Sequence, residues 1–528
     1  MRSIRIIIFI GLLFTLAGCE KILDIESKRG LSEAQMWNSL EDARSALFGV
    51  YALNRAALTD NNRHVIYGDV RMADFQPTSR EDLNAIHNNL LKADYKLIND
   101  LSDWRPFYAT INAANLYLER IHEVYEKDPR FTEQTYNLDR AQVKALRAFS
   151  YFYMSRIWGD VPLILSSHDG SFENKPRDPQ DKVFAAIEQD LLEAEPKLPY
   201  AYDGFDPEQT GNYYGQGIGN YYGIGYLVSK QAVWTMLAHM YAWRGNYADA
   251  AVYAQKIMDK TPRVTGSGAD LAGTFRNTSV GFPNAQRTAI GAWTRAYGVE
   301  QTVLFAVARG EFATSGVIEE LTAAEPLIPN RKFPAIYVPL DSLFSIYNEG
   351  TDSRFAVDSV TKQMVSFDGY FTGLDKPYPV FRKIFVTWDN FGTGKGINIV
   401  GDFGMFASPI VVSRFTEMGL LLAEAKAALN DRTGAIAILN QVRVNYLGAN
   451  TEYVSEAKNG PLIDAIFKER RRELIGEGWR WYDLVRYKRL KNNDPKFNQL
   501  IQSGGIYWPI SRRLTSQNPM LTQYPYWK

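Results

Sequence analysis

The chain has 528 residues, and its 59 lysine and arginine residues balance its 59 aspartate and glutamate residues. Because no net charge remains, the composition excludes the strongly basic surface on which binding to nucleic acid or to an anionic membrane surface depends. Hydrophobic residues make up 46% of the chain and aromatic residues 13%, which predicts a globular protein with a large core.

The N-terminus has the pattern of a bacterial lipoprotein signal. Two arginines precede an apolar run, Ile6 to Leu16, which is too short to span a bilayer core that needs roughly 20 apolar residues. The run leads to Cys19, the only cysteine of the chain. We therefore expect residues 1–18 to be a cleaved signal peptide and residues 19–31 a tether that is acylated, for example with palmitate, at Cys19. The alternative is an ordinary secretory signal with a chance cysteine.

Helical periodicity follows the tether and defines an N-terminal helical part over residues 32–262. Apolar side chains recur every 3.6 residues from Glu41 to Leu58 and from Trp104 to Val124. A stripe of alanines predicts a third helix that ends near Trp158, where glycine and proline follow. Its predicted partner helix is Asp181 to Leu198.

The strongest internal signal, from Trp234 to Pro262, has the residue spacing of a tetratricopeptide repeat. Small side chains at Ala238 and Ala250 allow two antiparallel helices to approach closely, and Gly245 is placed to make the turn between them. Since one helical hairpin cannot bury both of its faces, sister repeats are expected.

Sister repeats are predicted in a C-terminal part, residues 411–528. Arg414 to Asn430 and Thr433 to Val444 have the pattern of one helical hairpin. Leu462 to Ile475 and Trp481 to Leu490 have the pattern of a last helical pair, separated by two glycines.

Residues 263–410 interrupt the helical pattern with glycine-rich loops. Short β-prone runs, Gln301 to Ala308 and Val380 to Trp388, predict strands within this insertion. Loops held by a rigid scaffold commonly carry binding residues, so the insertion is where we expect a ligand site.

The motifs of catalysis and of metal or nucleotide binding do not occur in the sequence. The five histidines show no H-E-x-x-H pair, and no phosphate-binding loop or G-x-S-x-G elbow is present. Glu469, Glu473 and Glu477 alternate with arginines and are interpreted as an ion-paired helix face. We therefore expect no cofactor, no metal and no enzymatic activity, although two suitably spaced carboxylates would suffice for a glycosidase.

One C-terminal block, Lys468 to Arg486, resembles the signature of the SusD/RagB family of outer-membrane lipoproteins. It contains the runs K-E-R-R-R-E-L and E-G-W-R-W-Y-D-L-V-R. Three further blocks resemble the family at the matching places: Ala145–Phe149 with Gly159–Leu163, Glu417–Ala428, and Gln517–Tyr526. The resemblance covers essentially all of the mature chain and is loosest in its middle third.

The resemblance implies a mainly α fold, a single compact domain in which about eight helices form four tetratricopeptide-like pairs. A large loop-rich insertion with short β-hairpins completes this fold. It also implies a cell-surface lid of a SusC-like TonB-dependent transporter, anchored in the outer membrane only by lipid, that captures an oligosaccharide or, as in the RagB branch, a peptide. Two alternatives from other classes stay open: a lipid-anchored scaffold that binds only protein, and a surface hydrolase.

Three segments combine aromatic rings with polar groups, as a sugar site requires. Each segment also has a structural interpretation. The segment with Arg71 and Phe75 could instead hold an Arg71–Asp74 ion pair. The segment with Tyr214 and Tyr222 could be an ordinary surface loop, and the one with Trp293, Tyr297 and Trp388 could pair as a β-hairpin. By contrast, four tryptophans on or beside helical stripes are predicted to be structural: Trp104, Trp158, Trp234 and Trp243. The candidate ligand contacts are Arg71 and Phe75, then Tyr214 and Tyr222, then Trp293, Tyr297 and Trp388.

Overall fold

A computed structural model describes the chain from residue 36 to its last residue with several gaps. The described residues are 36–167, 174–200, 227–264, 303–307, 316–328, 331–365, 369–384, 387–388, 405–406, 410–448 and 451–528. The predicted signal peptide, Cys19 and the tether lie outside these residues. Across the described residues, no helix is both long and apolar enough to cross a membrane.

The described part of the chain is mainly helical. A run of 3-10, α and π turns over residues 60–70 follows the first helix. The helices are α1 (Leu40–Thr59), α2 (Glu81–His87), α3 (Lys96–Leu101), α4 (Arg105–Lys127), α5 (Glu133–Trp158), α6 (Gln180–Ala194), α7 (Lys230–Arg244), α8 (Tyr247–Val264), α9 (Ile318–Thr322), α10 (Leu340–Ile346), α11 (Phe415–Ala428), α12 (Arg432–Leu447), α13 (Glu456–Asn459), α14 (Leu462–Glu473), α15 (Arg480–Lys491), α16 (Pro495–Gln502) and α17 (Arg512–Gln517).

Helix α1 illustrates how the sequence encodes these elements. Ser39 accepts a hydrogen bond from the Asp42 amide while Asp42 accepts one from the Ser39 amide, which closes a capping box at the helix start. The predicted stripe is buried at Ala43, Leu47 and Val50. The predicted helix is therefore confirmed, with its apolar face against α4 and α5.

The long helices form four packed pairs: α1 with α4, α5 with α6, α7 with α8, and α11 with α12. In the pair α7–α8, Gly245 has φ +80° and its amide caps the end of α7, as the repeat pattern predicts. Ala238 and Ala250 are fully buried in this pair. Helices α4 and α5, and likewise α8 and α11, join neighbouring pairs. The predicted tetratricopeptide-like fold class is confirmed.

Two glycines separate α14 from α15 as expected. Gly476 and Gly478 have φ values of +82° and +79°, a backbone region that L side chains rarely adopt. A Cβ on Gly478 would lie 2.3 Å from Nε2 of His64, so the site also has no room for one. This turn directs Trp479 and Trp481 inward, where they are 4% and 2% exposed.

Four antiparallel two-stranded sheets accompany the helices in the described residues. They pair β1 (Gln76–Pro77) with β3 (Ile336–Tyr337), β2 (Val303–Val307) with β8 (Ile410–Arg414), β4 (Phe371–Thr372) with β5 (Val380–Phe381), and β6 (Thr387–Trp388) with β7 (Met405–Phe406). The β-prone run predicted at Val380 to Trp388 is thus two strands that belong to different sheets. Helix α8 ends at Val264 and β8 begins at Ile410, and the three-part division of the chain stays a prediction.

The glutamates predicted to be ion-paired are ion-paired, and the structure places them in the core. Glu469 and Glu473 are fully buried on α14, and Glu477 lies beyond its end at 3% exposure. Arg354 lies 2.7 Å from Glu469 and 3.1 Å from Glu473. Lys383 lies 2.5 Å from Glu477. A buried charge is tolerated only when it is paired, which explains why each carboxylate has a cation from the insertion beside it.

The same helix carries a second buried cluster that joins the C-terminal helices. Arg470 binds Glu417 of α11 at 3.0 Å and Asp483 of α15 at 2.9 Å. Arg486 binds Glu424 at 2.9 Å and Asp483 at 2.8 Å. Burial acts to raise the pKa of Glu417, but His239 and Arg470 hold that pKa well below its usual range. These ion pairs set the mutual position of α11, α14 and α15.

Candidate ligand-binding site

Arg71, a predicted ligand contact, lies in the core rather than in a surface loop. Its side chain is fully buried, and its guanidinium lies 4.6 Å from the centroid of the Trp481 ring. The guanidinium donates hydrogen bonds of 2.6 to 3.1 Å to the carbonyl oxygens of residues 505–507. Arg71 therefore holds the C-terminal segment, and the prediction that it contacts ligand is corrected.

Phe75, predicted in the same segment, is also fully buried, and its ring packs edge-to-face on Phe381 at 5.4 Å. The structural interpretation of this segment, an Arg71–Asp74 ion pair, has the wrong partner for Asp74. Asp74 pairs with Arg471 at 2.5 Å and with Arg480 at 3.2 Å. The segment is thus structural, as one interpretation of the sequence had it, but the ion-pair partners of Asp74 lie more than 390 positions away in the chain.

The other predicted contacts are described only in part. Tyr214, Tyr222, Trp293 and Tyr297 lie outside the described residues. The backbone of Trp388 belongs to β6 and pairs with Met405 of β7. This pairing agrees with the β-hairpin alternative for Trp388.

A cavity of about 570 Å³ opens in the predicted insertion. Its walls are the segment that precedes β3, the segment from Ala356 to Met364, and the loop that joins β4 to β5. The cavity has the size of a small-molecule site and lies in loops that the helical scaffold supports. It is the candidate ligand-binding site of the described residues.

Two exposed or partly exposed aromatic rings, Phe333 and Tyr378, line this cavity, and the Tyr337 ring packs against Tyr378. Phe333 is 56% exposed, and Tyr378 and Tyr337 are partly exposed. The Tyr378 ring packs edge-to-face on Phe333 at 5.3 Å and on Tyr337 at 4.9 Å. Because each ring fixes its neighbour, Phe333 and Tyr378 offer a preformed apolar surface toward the cavity they line.

Charged side chains surround the rings at the cavity mouth. Lys332, Glu325, Asp375 and Lys376 line the cavity and are exposed. Asp375 and Lys376 form an ion pair of 3.1 Å, with side chains 72% and 67% exposed. The four charges cancel, so the cavity offers donors and acceptors without a net field.

Buried cations anchor two of the cavity walls. The wall that contains Ala356 follows Arg354, which is fully buried between carboxylates of α14. The β4–β5 hairpin continues into Lys383, whose ammonium donates to the carbonyl oxygens of Glu473 and Ile475. The buried ion pairs therefore fix the loops that form the cavity.

Sequence reasoning missed Phe333 and Tyr378. Both are aromatic residues set beside proline in a charged loop, at K-F-P and D-K-P-Y. An aromatic ring in such a loop has no helical or alternating pattern that would bury it, and this is the signal that could have identified both residues. In the described residues, no group of three or more histidine, cysteine, aspartate or glutamate side chains is arranged to hold a metal ion.

The fold and the cavity define a class of protein, a tetratricopeptide-like helical scaffold that presents a loop-lined surface cavity. Comparison with known proteins identifies the family. Residues 395–505 match the model of the SusD family, and residues 23–210 match a model described as "Starch-binding associating with outer membrane". The chain is 40% identical to a SusD superfamily protein from Bacteroides thetaiotaomicron of known structure, with a TM-score of 0.77. That match covers 94% of this chain and 100% of the other.

Two further proteins show the same relationship. SusD-like protein P38 of Formosa agariphila is 26% identical, over 99% of this chain and 98% of the relative. A SusD homologue from Bacteroides thetaiotaomicron is 22% identical over 93% of this chain and 99% of that chain, and its TM-score of 0.67 shows the shared fold. The chain belongs to the SusD/RagB family, as the C-terminal block predicts.

Proposed function

We propose that the protein captures an oligosaccharide at the outer membrane and delivers it, chemically unchanged, to a SusC-like TonB-dependent transporter for which it is the lid. The observation that carries this proposal is the insertion cavity, where Phe333 and Tyr378 form an apolar surface among exposed charged groups. The description of the matched family model, which names starch binding and the outer membrane, supports it.

Sugar chemistry fits this cavity. A pyranose ring has an apolar C–H face, which would pack on Phe333 and Tyr378, and hydroxyl edges that would bond to Lys332, Glu325 or Asp375. A site with few hydrogen bonds and open access to water gives micromolar to millimolar affinity, of order 4 to 8 kcal/mol. Attachment beside the transporter would supply the effective concentration that such weak binding needs.

We further propose that Cys19 is acylated and anchors the protein at the cell surface. Acyl chains would each contribute about 0.8 kcal/mol per buried CH₂ to membrane affinity. Tyr214, Tyr222, Trp293, Tyr297 and Trp388 stay proposed as further ligand contacts, because each brings an aromatic ring to one of the segments that the sequence pattern favours for sugar binding.

The test is a glycan array and a peptide library screened with the mature full-length chain in detergent, followed by calorimetry on each hit. We expect a neutral oligosaccharide to bind and the variant Phe333→Ala/Tyr378→Ala to weaken this binding at least tenfold. Phe48→Ala is the matched control, because Phe48 is 39% exposed on α1 and does not line the cavity.

Each alternative function has its own outcome in this test. A peptide hit that depends on Phe333 and Tyr378 would favour a RagB-type peptide lid. Shortening of the bound glycan during incubation would favour a hydrolase. No hit in either library, together with co-purification of a protein partner, would favour the assembly scaffold and contradict the capture of sugar.

A further inference from the structure

The mouth and the floor of the ligand cavity differ in chemistry. All four charged residues that line the cavity are exposed, so they surround its mouth. The least exposed of the described residues that line it are Ala356 and Phe371, and each is 2% exposed. Both are apolar. The cavity therefore combines a charged mouth with an apolar floor.

Aliphatic side chains extend this apolar floor along the walls. Met364 and Leu374 both line the cavity. Leu374 is half-buried and packs against the core, whereas Met364 is 51% exposed. A thioether side chain adapts its shape to small apolar groups. Met364 thus has apolar surface that a ligand in the cavity would remove from water.

One uncharged polar side chain adjoins the floor. Thr372 follows Phe371 directly in β4, lines the cavity and is half-buried. Its backbone pairs with Val380 of β5. In the part of the chain that the structure describes, no hydrogen bond engages the Thr372 hydroxyl. This hydroxyl is available to donate one hydrogen bond to a ligand.

A sugar without substituents matches the mouth of the cavity but not its floor. Its C–H face would pack on Phe333 and Tyr378, and its hydroxyls would meet the charged side chains. A sugar hydroxyl placed against Ala356 and Phe371 would lose its hydrogen bonds to water and find few replacements. The floor instead suits an apolar group that projects from the sugar.

An O-acetyl ester supplies both features that the floor requires. Its methyl group is apolar, and its carbonyl oxygen accepts a hydrogen bond of the kind that the Thr372 hydroxyl can donate. The ester carries no charge, which agrees with a cavity whose charges cancel. A methyl ether would fill the floor but would offer no carbonyl oxygen to Thr372.

We infer that the ligand cavity selects oligosaccharides that carry an O-acetyl ester, with the ester methyl against Phe371 and Met364 and the ester carbonyl bonded to Thr372. This inference rests on the proposed capture of an oligosaccharide, and it adds the substituent by which the protein distinguishes one ligand from another. The ester is bound and not cleaved, since capture leaves the ligand chemically unchanged.

The test compares each oligosaccharide with itself after its esters have been removed. Acetylated xylo-oligosaccharides and manno-oligosaccharides are titrated by calorimetry into the mature full-length chain in detergent. Each is titrated again after mild base treatment, which cleaves esters and leaves glycosidic bonds intact. We expect the acetylated form to bind about tenfold more tightly, because one methyl-sized group in an apolar pocket changes affinity roughly 10- to 200-fold.

Two variants assign this preference to the floor of the cavity. Met364→Gln places an amide of similar size beside the ester methyl, and Thr372→Val removes the hydroxyl but keeps the branched shape. Each should reduce the preference for the acetylated form to threefold or less. Met520→Gln is the matched control, because Met520 is 49% exposed and does not line the cavity, and it should keep the full preference.

Failure of this inference can be told from failure of the proposed function. Equal binding of the two forms, tighter binding of the deacetylated form, or a preference that persists in both variants would overturn selection by the ester and leave capture of sugar intact. Absence of binding by all four ligands at millimolar concentration would also overturn it. The glycan array then decides whether capture of sugar fails as well.

Discussion

The turn at Gly478 shows how closely single residues in this protein are constrained. Its φ of +79° favours glycine, and its α-carbon lies against His64, which is itself hydrogen-bonded to Tyr153 at 2.8 Å. On its other side, the Cβ of a residue in place of Gly68 would lie 2.1 Å from the Gly478 carbonyl oxygen. Packing therefore requires glycine at position 478, which is part of the block that resembles the family.

Replacement of Gly478 with alanine should be strongly destabilising. The new Cβ would meet the His64 ring at 2.3 Å in addition to the backbone strain. We expect a loss of about 3 kcal/mol in the free energy of unfolding, measured by urea denaturation. Gly350→Ala is the matched control, because Gly350 has φ +78° but open space around it, and it should lose only about 1 kcal/mol. Equal losses in the two variants would contradict a role for the contact with His64.

Asp69 is a buried carboxyl beside this turn, and it makes stability depend on pH. It accepts a 2.5 Å hydrogen bond from the Gly478 amide, and burial raises its pKa to about 7 from an ordinary value of 3.8. Between about pH 4 and pH 7 the folded state therefore holds a proton that the unfolded state has lost. The contribution of Asp69 to stability consequently falls as the pH rises through this range and is constant above it.

Asp69→Asn should remove this contribution while leaving an oxygen that accepts the Gly478 hydrogen bond. We expect the variant to equal the natural protein near pH 4 and to exceed it by about 2 kcal/mol at pH 8. Unfolding measured with urea at both pH values tests the prediction. A difference between the proteins that does not grow with pH would show that Asp69 titrates normally.

At the scale of elements, buried ion pairs connect the insertion to the helical scaffold. Arg354 and Lys383 lie 29 positions apart in the insertion. Both bind carboxylates of the segment from Glu469 to Glu477. Short strands alone would hold these loops poorly, since β4 and β5 have two residues each. The charges therefore supply the fixed geometry that a binding cavity needs.

Lys383→Met should destabilise the protein because it leaves Glu477 with one cation fewer in a buried site. We expect a loss of about 3 kcal/mol, and partial recovery when Glu477→Gln is added, with a coupling energy of about 1 kcal/mol or more. Calorimetric or urea-induced unfolding of the single and double variants measures this. Lys96→Met, which removes an exposed pair with Asp100, should change stability by less than about 0.5 kcal/mol. Strict additivity of the two core variants would contradict coupling between Lys383 and Glu477.

At the scale of the whole molecule, the proposed lipid anchor and the proposed cavity have separable roles. Cys19→Ala removes the acylation site without touching the described fold. We expect this variant to lose incorporation of a labelled fatty acid and to move from the membrane fraction to the soluble fraction, while its glycan affinity in detergent stays within twofold. Retention of the label would contradict acylation at Cys19.

The sequence by itself determined the helical class, three of the four helix pairs and the family, because these depend on local periodicity, on small residues at helix contacts and on a contiguous motif. The helix boundaries near Leu58, Trp158 and Gly245 were predicted for the same reason. Gly476 and Gly478 were also interpreted correctly, since a positive φ is a local property of the backbone.

Only the tertiary structure decided the burial of the charged residues and of the aromatic residues that lie outside the helical stripes. Arg71 and Phe75 have the residue types of a binding loop, yet partners far along the chain enclose both, and no local pattern encodes such partners. Glu469 and Glu473 have the spacing of an ion-paired face with arginines of their own helix, but their partner in the core is Arg354, which lies more than 110 positions earlier in the chain. Conversely, Phe333 and Tyr378 meet only because the loops that carry them, more than 40 positions apart, are folded together. Outside the periodic helices, burial depends on contacts between distant segments, and only the folded chain brings those segments together.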